Sequence, residues 1–379
     1  MSRVMQALPI RGVLSPLALL LASCGTAATG ESPVAPAIVA EDEAPFTVTE
    51  MATFDQPWAM AWLDARTALV TQKRGRLMLW REGAAPVVVP GTPAVAFGGQ
   101  GGFGDVAVRP LGDNRFQVWL SWAEAGPDDT RGAAVGLAEL ALGDNPALSP
   151  VEVVWRQSPK VTGRGHYGHR FAFAPDGSAL FISSGDRQKL DPAQDPASDL
   201  GKIIRLPLDA DGRPSGPAEH YSLGHRNPLG LAFDGAGQLW TLEHGPAGGG
   251  ELNLVRQGAN YGWPLVSQGD HYDGRAIPRH ATRPDLAAPA LAWTPVIAPG
   301  GMIVYRGSRF ADWQGQAVIA ALGTQGIVRV ALDGGQAREV ARYDLGRRIR
   351  AIAEHPDGSI WVLDDGPDAR LLKLVPKPR

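Results

Sequence analysis

The sequence predicts an all-β chain folded as a six-bladed β-propeller with four-stranded antiparallel blades, and three observations carry that expectation. Glycine (47) and proline (32) make up about a fifth of the 379 residues, against roughly 12% in ordinary globular chains, so tight turns are frequent. The 44% hydrophobic content and 11 tryptophans exclude a disordered polymer. A strand, turn, strand unit recurs at roughly 55-residue intervals, and no 12-residue window carries helical periodicity. The chain is longer than the roughly 250 to 300 residues one hydrophobic core supports, and repeated modules resolve that excess. Net charge is −3, which gives no electrostatic reason to expect nucleic acid as a partner.

Residues 1–24 begin basic (Arg3, Arg11), continue through the apolar stretch 13–21 and end in Leu21-Ala22-Ser23-Cys24. This is the three-part layout of a secretory signal, too short to span a membrane by itself. The last four residues resemble a bacterial lipobox, in which Cys24 becomes the acylated first residue of the mature protein. That implies a lipoprotein held to a membrane at Cys24, facing the periplasm, at the outer membrane where the organism has one. Cys24 is the sole cysteine, so an intrachain disulfide and a thiolate metal cluster are excluded. Residues 25–45 are small, proline-rich and acidic, and read as a flexible tether that packs against nothing. The propeller domain is expected over 46–379.

Six units follow. PWAMAWL with LVTQKRGRLMLW forms the first. The others are FGDVAVRPLGDNRFQVWLSW, RFAFAPDGSALFISSGD, LGLAFDGAGQLWTLEHG, GQAVIAALGTQGIVRVALDG and IRAIAEHPDGSIWVLDD. Strand pairs broken by PDG, DGAG or LDGG are hairpin signals. A seven-bladed ring or a pair of β-sandwiches is the alternative. Propellers gather polar residues of inner strands and loops around a central channel, so chemistry is sought in the loops.

Three loops stand out. Gly165-His166-Tyr167-Gly168-His169-Arg170 opens the hairpin that Ser184-Gly185-Asp186 closes. A histidine kept basic by a nearby carboxylate is a suitable general base. A zinc pair of His166 and His169 is disfavoured because no third ligand stands at a suitable spacing. Gly224-His225-Arg226-Asn227-Pro228 offers a permanent cation with a rigid fork of donors, and an amide held by the following proline. Residues 243–253 (EHGPAGGGELN) and 260–264 (NYGWP) offer carbonyl and carboxylate oxygens of the kind Ca²⁺ takes, a weak pattern by itself.

The collinear set PWAMAWL, GGQGGFGDVAV, GHYGHRFAFAPDG, SSGDR, AQDPASDLGKIIRL, GHRNPLGLAFD, EHGP, GGGELNLVRQGANYGWP, APGGMIVYRG and LGRRIRAIAEHPDGSIWVLDD resembles the PQQ-dependent soluble aldose dehydrogenases, the glucose/sorbosone dehydrogenase family, over residues 50 to 376. The resemblance implies pyrroloquinoline quinone (PQQ) and Ca²⁺ in the channel, and an aldose substrate oxidised at C1 to the lactone by hydride transfer. It makes His166 the base, Asp186 its support, and Arg226 the group that stabilises negative charge developing on the quinone. Asn227 and Gln100 would face the cofactor, and Arg348 and Arg350, two apart on one strand face, would meet its carboxylates. Gly245 and Pro246 would offer carbonyls to the Ca²⁺, while Glu251 and the Tyr261 carbonyl resemble ligands of a second, structural Ca²⁺. Three positions depart from the family pattern. Gly323 stands where a lysine often pairs with the cofactor, His169 replaces a small residue, and Gly250 replaces an acidic one. One cationic anchor is therefore expected to be missing, with PQQ held by Arg348, Arg350, Arg226 and Ca²⁺ alone; the alternatives are that a basic side chain such as Arg164 or Arg329 takes the same role, or that water fills the gap. The competing readings are a propeller lipoprotein that binds glycans or a partner protein without redox chemistry, and a calcium-dependent hydrolase.

Overall fold

The computed structural model describes residues 36–378. Cys24, the signal segment and the first part of the expected tether lie outside the described residues. Six antiparallel sheets follow one another along the chain. Blade 1 comprises Pro57–Trp62, Thr67–Gln72, Arg76–Arg81 and Val87–Val89, and blade 2 Phe103–Gly112, Arg115–Ala125, Arg131–Ala141 and Glu152–Arg156. Blade 3 comprises Gly168–Phe173, Ala179–Ser184, Lys202–Pro207 and Glu219–Leu223, and blade 4 Pro228–Phe233, Leu239–Glu243, Gly250–Val255 and Leu291–Trp293. Blade 5 comprises Pro299–Val304, Ala317–Ala321, Gly326–Asp333 and Gln336–Asp344. Blade 6 takes Ile349–Glu354, Ile360–Asp364 and Ala369–Pro376, and its outer strand is Phe46–Phe54 from the start of the domain, paired antiparallel with Ala369–Pro376. This pairing of the two ends closes the ring.

Each core cluster fills the space between two neighbouring blades, and alternate residues of one strand serve two of them. In Ala317–Ala321, Val318 and Ala320 face blade 6 while Ala317, Ile319 and Ala321 face blade 4. A strand buried on both faces favours apolar residues at successive positions, which is why AVIAA reads as an unbroken apolar run, while the buried Thr241 of LWTL is satisfied by donating to the Gly230 carbonyl at 3.1 Å. The six first strands pack side by side around the axis, the last against the first.

Residues 38–44 correct one expectation. Ile38–Val39 adds a fifth strand to blade 5, parallel to Gln336–Asp344, and Ala44 is fully buried beside Phe46 and Tyr343. The Lys377 ammonium also donates to the Asp42 carbonyl at 2.6 Å. The open edge of blade 5 supplies backbone partners, and such pairing asks little of the side chains; the end of the expected tether therefore belongs to the propeller. No helix among the described residues is long and apolar enough to cross a membrane.

Candidate active site

Every blade begins with a register shift in its first hairpin. The shifts lie between Pro57 and Ala59, Phe103 and Val106, Gly168 and Phe171, Pro228 and Gly230, Pro299 and Gly301, and Ile349 and Ala351. A bulge leaves its extra residue out of the ladder and re-aims the side chain. Trp58, His169, Leu229 and Arg350 occupy such positions, and all four line a cavity of about 540 Å³ at one end of the channel. Loops entering the blades supply the other walls, so all six blades contribute. The volume suits a cofactor or a small substrate.

His166 and Asp186, which flank one hairpin and which the family resemblance pairs, are in contact: His166 Nδ1 lies 2.7 Å from Asp186 Oδ1. Gly185 makes the approach possible, since a Cβ there would sit 2.2 Å from the His166 carbonyl oxygen. Asp186 is fully buried and its oxygens are all engaged. Oδ1 also accepts from the Gln188 amide at 2.8 Å, and Oδ2 accepts from the Trp263 indole at 2.8 Å. A carboxylate only accepts, so the His166 proton resides on Nδ1 and Nε2 is left to take another. Burial pushes the His166 pKa below 6.5, the hydrogen bond to Asp186 opposes that, and the Arg226 charge adds to the lowering. The imidazole is therefore neutral, and able to accept a proton, near pH 7. The Gln100 side-chain oxygen accepts from the His166 backbone amide at 2.8 Å, holding a loop in which His166 has φ of 48°.

Arg226 and Asn227 join the same cavity. The Arg226 carbonyl accepts from the Asp186 amide at 2.9 Å, so the base loop and the arginine loop share backbone. Its guanidinium donates to the His244 carbonyl at 3.1 Å, lies 5.3 Å from the Trp263 ring and leaves Nε buried without a partner. No carboxylate meets that guanidinium among the described residues. Asn227 Oδ1 accepts from the Gly168 amide at 3.3 Å. Arg348 and Arg350 also line the cavity, and both donate to Asp365, at 3.0 and 2.9 Å. They converge although Arg348 precedes the strand, because the bulge at Arg350 turns its side chain to the same side.

The expected calcium residues lie next door. Gly245, Pro246, Glu251 and Tyr261 line a separate void of about 10 Å³ together with Glu243, room for about one water-sized sphere. No hydrogen-bond donor among the described residues reaches the Gly245 or Pro246 carbonyl. Burial and then the neighbouring Glu243 push the Glu251 carboxyl up to about 8, and Asn253 Oδ1 is buried without a partner. A cation would relieve all of these. The Tyr261 carbonyl is different, since it accepts from His280 Nε2 at 3.1 Å.

His169 is a wall residue. Its ring stacks on Tyr167 at 5.2 Å and meets Trp58 edge-on at 5.8 Å, and both nitrogens are buried without partners. Burial lowers its pKa to about 3, and with no carboxylate beside it His169 is a poor rival to His166 as base. Gly323 carries no cation, and a Cβ there would lie 2.9 Å from the Ile297 carbonyl oxygen. Arg329, the alternative source of a cation, is held in the third strand of blade 5 by Gln316 and Tyr343 and stacks on Trp313. Neither it nor Arg164 lines the cavity. Sequence reasoning missed Lys73, Tyr272 and Asp365, which do line it, and Trp263, which holds Asp186.

A buried His–carboxylate pair opening into a cavity with cationic walls is suited to acid–base chemistry on a polar ligand. The comparisons narrow it: the glucose/sorbosone dehydrogenase family model matches residues 54–373, and the chain belongs to that family, as an oxidoreductase acting on sugars. A similar protein is the aldose sugar dehydrogenase YliI of Escherichia coli strain K12, 35% identical over 342 residues that cover 85% of this chain and 91% of that one. The crystal structure of the soluble aldose sugar dehydrogenase from Escherichia coli in its apo-form matches with TM-score 0.79 at 33% identity, covering 88% and 100% of the two chains. The PQQ-bound form of an aldose sugar dehydrogenase from Streptomyces coelicolor shares the fold, with TM-score 0.67 at 24% identity, covering 88% and 98%.

Proposed function

We propose that the protein oxidises aldoses at C1 to the lactone, with PQQ as resident cofactor, Ca²⁺ as its metal and His166 as general base. The observation that carries this reading is the His166–Asp186 pair, neutral at His166, opening into the same cavity as the guanidinium groups of Arg226, Arg348 and Arg350. PQQ is a planar quinone bearing three carboxylates, and a cavity of about 540 Å³ with cationic walls fits such a group. Arg348 and Arg350 would meet its carboxylates, and Asn227 and Gln100 would hold it. The void bordered by Gly245, Pro246 and Glu251 fits a small cation. When bound, PQQ supplies the hydride acceptor and Ca²⁺ polarises it.

The protein's own contribution is positional and electrostatic. His166 Nε2 accepts the proton of the sugar C1 hydroxyl, Asp186 fixes the receptive tautomer and steadies the imidazolium that forms, and Arg226 places donors where negative charge grows. Dye reduction by purified protein with a panel of aldoses tests the reading. Activity should require both PQQ and Ca²⁺; reduction without PQQ, or none with both present, would move the weight to a non-redox propeller. We further propose that Cys24 carries a lipid anchor and the propeller faces the periplasm, on the strength of the lipobox-like 21–24.

A further inference from the structure

We propose that Lys73 is an anchoring residue for the cofactor, donating its ammonium to a cofactor carboxylate from blade 1 in place of a lysine on blade 5. The inference rests on the PQQ reading above. It begins with the charge lining the cavity. Lys73, Arg226, Arg348 and Arg350 face Asp365 as the only carboxylate among the lining residues. Arg348 and Arg350 share Asp365, while Lys73 makes no ion pair among the described residues. His166 and His169 are held below the usual histidine range, chiefly by burial. The cations of this wall outnumber its one carboxylate by three before any bound Ca²⁺ is counted, an excess that favours a polyanionic ligand.

Blade 5 cannot provide this contact. The Gly323 amide donates to the Ile297 carbonyl at 2.9 Å, and the space for a Cβ is closed by that same oxygen and by Ala298. A lysine at 323 would have to displace backbone before its ammonium reached the cavity.

Lys73, by contrast, is set firmly at the rim. It sits in the turn between the second and third strands of blade 1, where its amide donates to the Gln56 carbonyl and its carbonyl accepts from the Phe103 amide, each at 2.9 Å. The glycine loop of blade 2 closes directly on it, since a Cβ at Gly102 would lie 2.5 Å from the Lys73 carbonyl oxygen. The ammonium donates to the Gly99 carbonyl at 3.2 Å, one residue from Gln100, and this leaves further donors for a ligand. Burial and then the Arg350 charge hold the ammonium below the usual lysine range while Asp365 opposes them, and a ligand anion beside it would offset the Arg350 charge further.

Equilibrium titration of the apoprotein with PQQ at saturating Ca²⁺, read by the cofactor's absorbance rather than by turnover, tests the assignment. Lys73→Met should weaken PQQ uptake by about 10- to 100-fold, the worth of one hydrogen bond to a charged group, and Lys73→Arg should recover most of it. Equal uptake by wild type and Lys73→Met would overturn the anchor while leaving the PQQ reading intact. Equal loss in both variants would assign the effect to the shape of the loop and overturn it too. Failure of the wild type to take up PQQ at any concentration would instead overturn the function on which the inference rests.

Discussion

Trp263 and Asp186, 77 residues apart in sequence, are joined by an indole N–H donating to a fully buried carboxylate at 2.8 Å. The same indole ring lies beside Arg226, so one side chain steadies both the support of the base and the cation facing it. Gln194 in turn donates to the Trp263 carbonyl at 2.7 Å, which ties the loop between the second and third strands of blade 3 to the loop between the third and fourth strands of blade 4. The His166–Asp186 pair is oriented by the meeting of two blades.

Trp263→Phe keeps the ring but removes the donor. A hydrogen bond to a charged group is worth about 1.5 to 3 kcal/mol; with part of that expressed in the transition state, kcat should fall about tenfold. KM for the sugar and the PQQ titration should stay within about twofold. Parallel losses in cofactor uptake and kcat would show that Trp263 shapes the cavity and does not position Asp186.

The pH profile follows from the His166 environment. Burial and Arg226 lower its pKa below 6.5 and Asp186 raises it, so the reactive neutral form is lost only as pH falls through a midpoint under 6.5. The acid limb of kcat/KM should lie there. Asp186→Ala removes the raising interaction, so the midpoint should move to still lower pH while the plateau rate drops. An acid limb that moves upward in this variant would contradict the assignment of the limb to His166.

Location is tested at Cys24. A protein acylated there should fractionate with membranes, because several acyl chains give stable anchoring where one gives only marginal binding. Cys24→Ser should release or misprocess it. Unchanged membrane fractionation of the variant would argue against the lipobox.

The sequence made the local features legible and the distant ones not. Hairpins at PDG and DGAG, and the contact of His166 with Asp186 across one hairpin, depend on residues close in the chain. Six units were countable because each blade repeats the same apolar runs. The unit quoted for blade 5, GQAVIAALGTQGIVRVALDG, holds its second and third strands; the inner one is Pro299–Val304, whose PGGMIV carries little alternation. Lys73 and Trp263 went unread because they reach the site from other blades, in a charged turn and an aromatic motif that have ordinary surface and core explanations. Ile38–Val39 was read as tether because a parallel edge strand is held by backbone groups that leave no side-chain pattern. The four bulges that aim Trp58, His169, Leu229 and Arg350 inward are properties of register, which a single sequence does not display.

The most direct test of the account is His166→Ala measured in protein reconstituted with PQQ and Ca²⁺. In the proposed mechanism the imidazole Nε2 is the proton acceptor, and loss of a general base costs about 10²- to 10⁴-fold. PQQ uptake should be retained and kcat for aldose oxidation should fall by that factor. Activity within threefold of wild type, at full cofactor occupancy, would contradict the claim that His166 is the base.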